Sequence, residues 1–209
     1  MSAPAPFRLP PTRADLAVAR AIANHVTPRL EHATEPLTWL ADEKLVLALV
    51  AGVWLHARLA PRDLAARRRA DRLLGAVIAA GAVPHLVKHL VDRKRPDRTV
   101  VHLRRHGVPR SGNPWDSFPS GHAVHLGAAA PMLHRLAPPG LRPFVWPAAA
   151  ALAATRLLLL AHYPTDVATG LAGGVLLDRA VGWLLGRVRA LNSAAPRTVA
   201  DSQPFEEKA

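Results

Sequence analysis

Apolar positions along this chain come in long blocks with helical spacing, separated by short polar connections. From Thr12 the pattern predicts a helix, with Thr12 as N-cap and Asp15 in its first turn. Leu16, Ala19, Ala23 and Val26 recur at helical spacing between Arg13, Arg20 and Asn24, so this helix reads as amphipathic and interfacial rather than spanning. Five apolar stretches follow. The first is Leu45 to Leu59, extendable back to Leu37 through Asp42, Glu43 and Lys44. The second is Leu73 to Val91, broken by Pro84, His85, Lys88 and His89. The third is Ala123 to Leu136; the fourth, Pro143 to Ala161, has Arg156 as its only charge; the fifth, Val167 to Leu185, carries Asp178 and Arg179. None is an uncharged run of about 18 or more, so each alone is ambiguous. Together they read as membrane helices with polar groups on their inner faces. The mean hydropathy of only +0.09 keeps a soluble all-α domain as the plainer alternative. The predicted fold class is all-α, an integral membrane bundle of about five spanning helices plus the N-terminal amphipathic helix.

The connections divide the chain. Residues 1–11 read as a flexible arm without the apolar core of a secretory signal, 12–191 as a single helical domain, and 192–209 as a disordered polar tail. Residues 60–72 form a basic turn with Arg62, Arg67, Arg68, Arg69 and Arg72, and 92–118 a long polar loop. The 209 residues suit one domain, and 20 prolines exclude a single long coiled coil. The absence of cysteine excludes disulfides, thiolate zinc sites and cysteine nucleophiles. A net charge of +12 and a pI near 11.6 point to a polyanionic partner: nucleic acid, an anionic membrane surface or a phosphate-bearing substrate.

Three clusters carry candidate chemistry, each where an apolar stretch meets a loop. Lys88 is costly in a bilayer, and Arg95-Pro96 follows it just past a helix end, so both cations can reach one anion. The plain alternative is snorkelling of basic side chains at a membrane edge. Pro119-Ser120-Gly121-His122 reads as a helix start: Ser120 caps it, Gly121 lets backbone approach a phosphate, and His122 projects beside that anion as a proton donor. Capping alone also explains it. Arg156 sits where leucine would be more comfortable and suits bidentate phosphate binding. His162 and Asp166 are four apart and share a face if the next helix has begun, Pro164 fitting its first turn. The alternative is a buried histidine beside a structural Arg–Asp pair. Taken jointly, the clusters equip one site for phosphoryl transfer through a phosphohistidine. His162, its tautomer fixed by Asp166, attacks phosphorus; His122 protonates the leaving oxygen; the cations hold the phosphate without a metal.

The order Lys88-x6-Arg95-Pro96, Pro119-Ser120-Gly121-His122 and Arg156-x5-His162-x3-Asp166 resembles the three-part signature of the type-2 phosphatidic acid phosphatase superfamily, which includes membrane lipid phosphatases, bacterial acid phosphatases and vanadium haloperoxidases. The resemblance implies that Lys88, Arg95 and Arg156 bind phosphate with Ser120 and Gly121 in the same pocket. It further implies His122 as general acid, His162 as nucleophile and Asp166 as its orienting partner. Two positions depart from the family pattern: Thr155 stands where the family has Ser, and Leu160 where it often has Gly. The resemblance also implies the substrate class, a lipid phosphate or pyrophosphate such as a prenyl pyrophosphate, phosphatidic acid or phosphatidylglycerol phosphate, and a multi-pass protein of the cell membrane with an extracytoplasmic site. The basic turn at 60–72 agrees with that orientation if it is cytoplasmic.

No cofactor is expected. His122 with His125, and His85 with His89, have the spacing of a metal pair but no third ligand to match, so no metal site is assigned. Asp92, Arg93, Lys94, Asp97 and Arg98 read as a solvated mixed-charge edge, and His102, His106 and Trp115 as an ordinary loop able to meet a headgroup. The expected partners are the lipid phosphate and the membrane, with no nucleic acid. A vanadate-dependent oxidant and a non-catalytic basic binding protein remain the competing functions; only the enzymes need His162 beside Asp166.

Overall fold

The computed structural model describes residues 5–40, 42–59, 63–100 and 113–194. Its elements in order are β1 (Phe7–Arg8), α1 (Arg13–His25), α2 (Pro28–Trp39), α3 (Glu43–Leu59), α4 (Leu64–Leu90), β2 (Val91–Asp92), a 3₁₀ turn (Pro96–Arg98), α5 (Gly121–Leu136), α6 (Arg142–Leu158) and α7 (Pro164–Ala194). The fold is helical, as expected.

Local chemistry explains most boundaries. Thr12 and Asp15 form a reciprocal capping box, each backbone N–H donating to the other's side chain at 3.0 Å, and start α1 where the sequence places it. Of the basic segment 60–72, the described part from Asp63 is the start of a helix rather than a turn. Asp63 accepts hydrogen bonds from the backbone of Ala65 and Ala66, and Leu64 onward is helix through Leu90, Pro84 included. Periodicity gave no sign of α2, which Thr27 caps and Pro28 opens. Two differences fall at the chain ends. Phe7–Arg8 pairs in parallel with Val91–Asp92, so part of the stretch read as a flexible arm is tied down. α7 runs to Ala194, past the start of the expected tail; residues 195–209 lie outside the described residues.

The core lies among α4, α5 and α7. Ala76 and Ala80 of α4 pack on Val124 and Ala128 of α5, with Leu177 of α7 against them. Leu73, Val77, Ala129 and Met132 extend that seam toward Val50 of α3. α5 and α7 approach backbone to backbone: a Cβ on Gly127 would lie 2.2 Å from the Leu171 carbonyl oxygen, and one on Gly174 2.2 Å from that of Val124. This contact sets the N-termini of α5 and α7 side by side.

Candidate active site

Antiparallel succession brings the three sequence clusters to one end of the bundle. Lys88 lies in the last turn of α4, Arg95 just beyond it, Ser120 at the N-cap of α5, Arg156 in the last turn of α6, and Asp166 in the first turn of α7. The Ser120 backbone N–H donates to the Asp166 carbonyl at 3.2 Å, joining two of these ends directly. Arg95 is buried; its guanidinium donates to the carbonyls of Asn113 (3.1 Å) and Ala161 (3.3 Å), holding it beside the segment that carries the histidine.

His162 precedes α7 instead of sharing its face with Asp166, because the helix begins at Pro164. Its Nδ1 lies 2.6 Å from the Ser117 carbonyl oxygen and 4.0 Å from Asp166 Oδ2. A carbonyl only accepts, so Nδ1 carries the proton and Nε2 keeps its lone pair. The tautomer is therefore set by a backbone carbonyl, and the expected direct grip of Asp166 on the imidazole is corrected. Asp166 works one step further back: it accepts from the Ser117 hydroxyl at 2.6 Å and the Tyr163 backbone N–H at 2.8 Å, fixing both neighbours of the ring. Burial holds the His162 imidazole well below its ordinary pKa, the cations Arg95, Arg156 and Lys88 push the same way, and the Ser117 hydrogen bond opposes them. These influences together favour the neutral ring.

His122 is half-buried and interacts electrostatically with Arg156 and Lys88, the same cations that act on His162. Ser120 does not cap α5 with its side chain, contrary to expectation. Its Oγ is buried without a hydrogen-bond partner among the described residues, and so is Nε of Arg156. Buried polar atoms are normally paired. Two unpaired ones beside a helix N-terminus, Lys88 and Arg95 fit a phosphate whose oxygens complete them. A Cβ on Gly121 would meet nothing within 4 Å, so that side of the helix start is open.

Sequence reasoning missed the support behind Asp166. Arg93, read as part of a solvated edge, is 2% exposed and bridges two fully buried carboxylates. It pairs with Asp166 through Nη1 and with Asp15 through Nη2 at 2.7 Å. Asp15 also accepts from the Thr165 backbone N–H (3.1 Å) and hydroxyl (2.8 Å), so the capping residue of α1 reaches the start of α7. The guanidinium carbon of Arg93 stands 4.9 Å from the centre of the buried Tyr163 ring. Nothing local distinguishes Arg93 from its charged neighbours; its burial follows from the β1–β2 pairing and the docking of α1. Leu160, the departure from the family pattern, has φ 50°, a left-handed conformation that glycine takes without strain. Its side chain is buried against Ala19 and Tyr163.

Among the described residues no group of three His, Asp or Glu side chains is placed to hold a metal ion. His85 lies 3.6 Å from Glu43, and His125 donates from Nδ1 to the Gly121 carbonyl (2.9 Å). Trp115 stacks on Arg8 at 5.7 Å, and His102 and His106 lie outside the described residues.

The PAP2 superfamily model matches residues 70–189. Lipid A 1-phosphatase of Rhizobium johnstonii is 30% identical over 182 residues, covering 80% of this chain and 72% of that protein. Decaprenylphosphoryl-5-phosphoribose phosphatase of Mycobacterium tuberculosis is 35% identical over 138 residues, covering 66% and 68%. Among solved structures, LpxE of Aquifex aeolicus superposes with a TM-score of 0.64 at 17% identity, over 79% of this chain and 93% of that one. The transmembrane PAP2 type phosphatidylglycerolphosphate phosphatase from Bacillus subtilis gives 0.61 at 18% identity, over 88% and 87%. At such identities these two likenesses are of fold.

Proposed function

Because this chain belongs to the PAP2 superfamily, we propose that it is a membrane-embedded phosphatase that removes phosphate from a lipid phosphate or pyrophosphate through a phosphohistidine on His162. The observation that carries the reading is the Ser117 carbonyl on Nδ1 of His162, which leaves Nε2 as the unprotonated nucleophile. Nε2 attacks phosphorus as the bond to the lipid oxygen breaks. His122 donates a proton to that oxygen, the incoming negative charge having favoured its protonated form. Water then attacks the phosphohistidine, His122 takes the water's proton, and orthophosphate leaves with His162 restored. Lys88, Arg95, Arg156, Ser120 and the Gly121 backbone hold the transferring group and its charge throughout. The cations supply the positive charge that a metal supplies elsewhere.

The membrane placement rests on α4 and α7, which are long and apolar enough to cross a bilayer, and on outward leucines such as Leu47, Leu49 and Leu55 on α3 and Leu176, Leu184 and Leu191 on α7. With α3, α5 and α6 the count is five spans, and α1 lies at the interface on the catalytic side. The arginines at the start of α4 face the cytoplasm and the catalytic end faces away from it. The two curated relatives are named for phosphate removal from lipid A and from a decaprenyl-linked sugar, which supports a lipid-borne phosphomonoester. The test is phosphate release from detergent-solubilised prenyl and glycerolipid phosphates, with and without chelator. Release from at least one lipid, unaffected by chelator, is the expected result; loss of activity with chelator contradicts the mechanism.

A further inference from the structure

At the opposite end of the bundle, a cavity of ≈ 200 Å³ opens between the start of α4, the end of α5 and the second half of α7. Five arginines line it: Arg68, Arg69 and Arg72 from α4, Arg135 from α5 and Arg189 from α7. We propose that this cavity binds the phosphate group of an anionic phospholipid, at a site separate from His162.

Three observations carry this. First, two of the arginines are held in place by carboxylates. Arg72 is gripped at both ends of its guanidinium by Asp178, at 2.8 and 2.5 Å, and Asp178 is 1% exposed. The group lies so flat on α7 that a Cβ on Gly182 would stand 2.6 Å from its central carbon. Arg189 is held by Asp71 at 3.2 Å. Arg72 and Arg189 are thus in place before any ligand arrives, which lowers the ordering cost of binding at their side of the cavity. Second, the carboxylates do not match the cations. Asp178 serves Arg72, Asp71 is shared between Arg189 and Arg58, and Asp63 stands 3.8 Å from Arg69. Arg68 and Arg135 have no carboxylate partner among the described residues, and both are exposed at the cavity. Like charges gathered from three helices repel unless an anion joins them, and guanidinium forks suit phosphate oxygens. Third, the depth is right for a headgroup. Arg72 and Lys88 are sixteen positions apart on one helix, about 24 Å along its axis. The cavity therefore lies near the far edge of a hydrocarbon slab about 30 Å thick. Met132 and Leu185 line it beside the arginines, and Leu136, Trp183 and Leu184 are exposed on the same two helices, α5 and α7. Its volume is about that of six or seven waters, enough for a phosphate and its nearest carbons.

The test uses the full chain in detergent and reads ligand binding without turnover, so its failure is distinct from failure of the phosphatase reading. Short-chain phosphatidylglycerol, phosphatidylcholine and inorganic phosphate are each titrated against thermal unfolding and against lipid retention in native mass spectrometry. The variants are Arg68→Ala with Arg135→Ala, the single Arg135→Gln as a milder form, and Arg179→Ala with Arg187→Ala as a charge-matched control elsewhere on α7. Phosphatidylglycerol is expected to raise the melting temperature of the wild type and the control, and phosphatidylcholine to do so much less. The Arg68/Arg135 pair is expected to bind phosphatidylglycerol about tenfold more weakly, the scale of losing charge-assisted hydrogen bonds. Equal binding by that pair and the wild type, or equal weakening in the control pair, overturns the site. A variant-sensitive response to inorganic phosphate without one to phosphatidylglycerol overturns the lipid as its ligand.

Discussion

A guanidinium that bridges two buried carboxylates, as Arg93 does between Asp15 and Asp166, cannot be removed without leaving both charges unpaired. Breaking such a buried pair costs about 3–5 kcal/mol. Arg93→Ala is therefore expected to lower the melting temperature and to reduce kcat at least about tenfold, because Asp166 loses the partner that aims it at Ser117 and Tyr163. Ser117→Ala keeps the carbonyl that sets the His162 tautomer and is expected to cost less than Arg93→Ala; the reverse order in kcat would contradict this chain of support. The acid limb of the pH profile is set by His162. Its pKa is lowered by burial and by Arg95 and Arg156, so the ring stays neutral to lower pH than a free imidazole. The acid limb of kcat/KM should fall below pH 6.5, about the value of an unperturbed histidine. The limb of kcat should sit higher, since bound phosphate offsets the cations; a kcat/KM limb above 7 would oppose the assignment. At this scale the residue types at Lys88, Arg95, Ser120, His122, Arg156 and His162 were legible, because phosphate chemistry restricts them sharply. Their supports were not. Ser117 acts through its backbone, which no side chain advertises, and Arg93 looks like any charge in a polar loop.

The helices place these groups. Ser120 to His122 open α5 and Asp166 opens α7, and the two elements meet at Gly127 and Gly174 with no room for a methyl group. Gly174→Ala forces the backbones apart; overpacking of this kind costs about 1–3 kcal/mol. It is expected to lower both the melting temperature and phosphate release, measured on the same preparation. Unchanged activity would mean that the register of α5 on α7 does not control the site. Apolar blocks located α3 to α7 well, since burial or lipid demands such runs. Their limits were harder to read. α4 starts nine residues before its apolar block, at Leu64, because Asp63 caps a run of good helix formers that are merely charged. α2 has neither a strong apolar stripe nor charge contrast, so Thr27-Pro28 was its only local signal.

Over the whole molecule the polarity of the two ends differs. One end gathers Lys88, Arg95 and Arg156 around two histidines; the other gathers five arginines around a cavity. The net charge of +12 is thus divided between a catalytic task and a far-side one, and the total alone could not separate them. In the proposed mechanism the phosphate passes through His162. The most direct measurement is rapid quenching of the enzyme with a radiolabelled lipid phosphate substrate, followed by alkaline denaturation and peptide mapping. The account predicts label on His162, alkali-stable and acid-labile, that chases into orthophosphate and is absent from His162→Ala. Label on a different residue, or full turnover by His162→Ala, would contradict it.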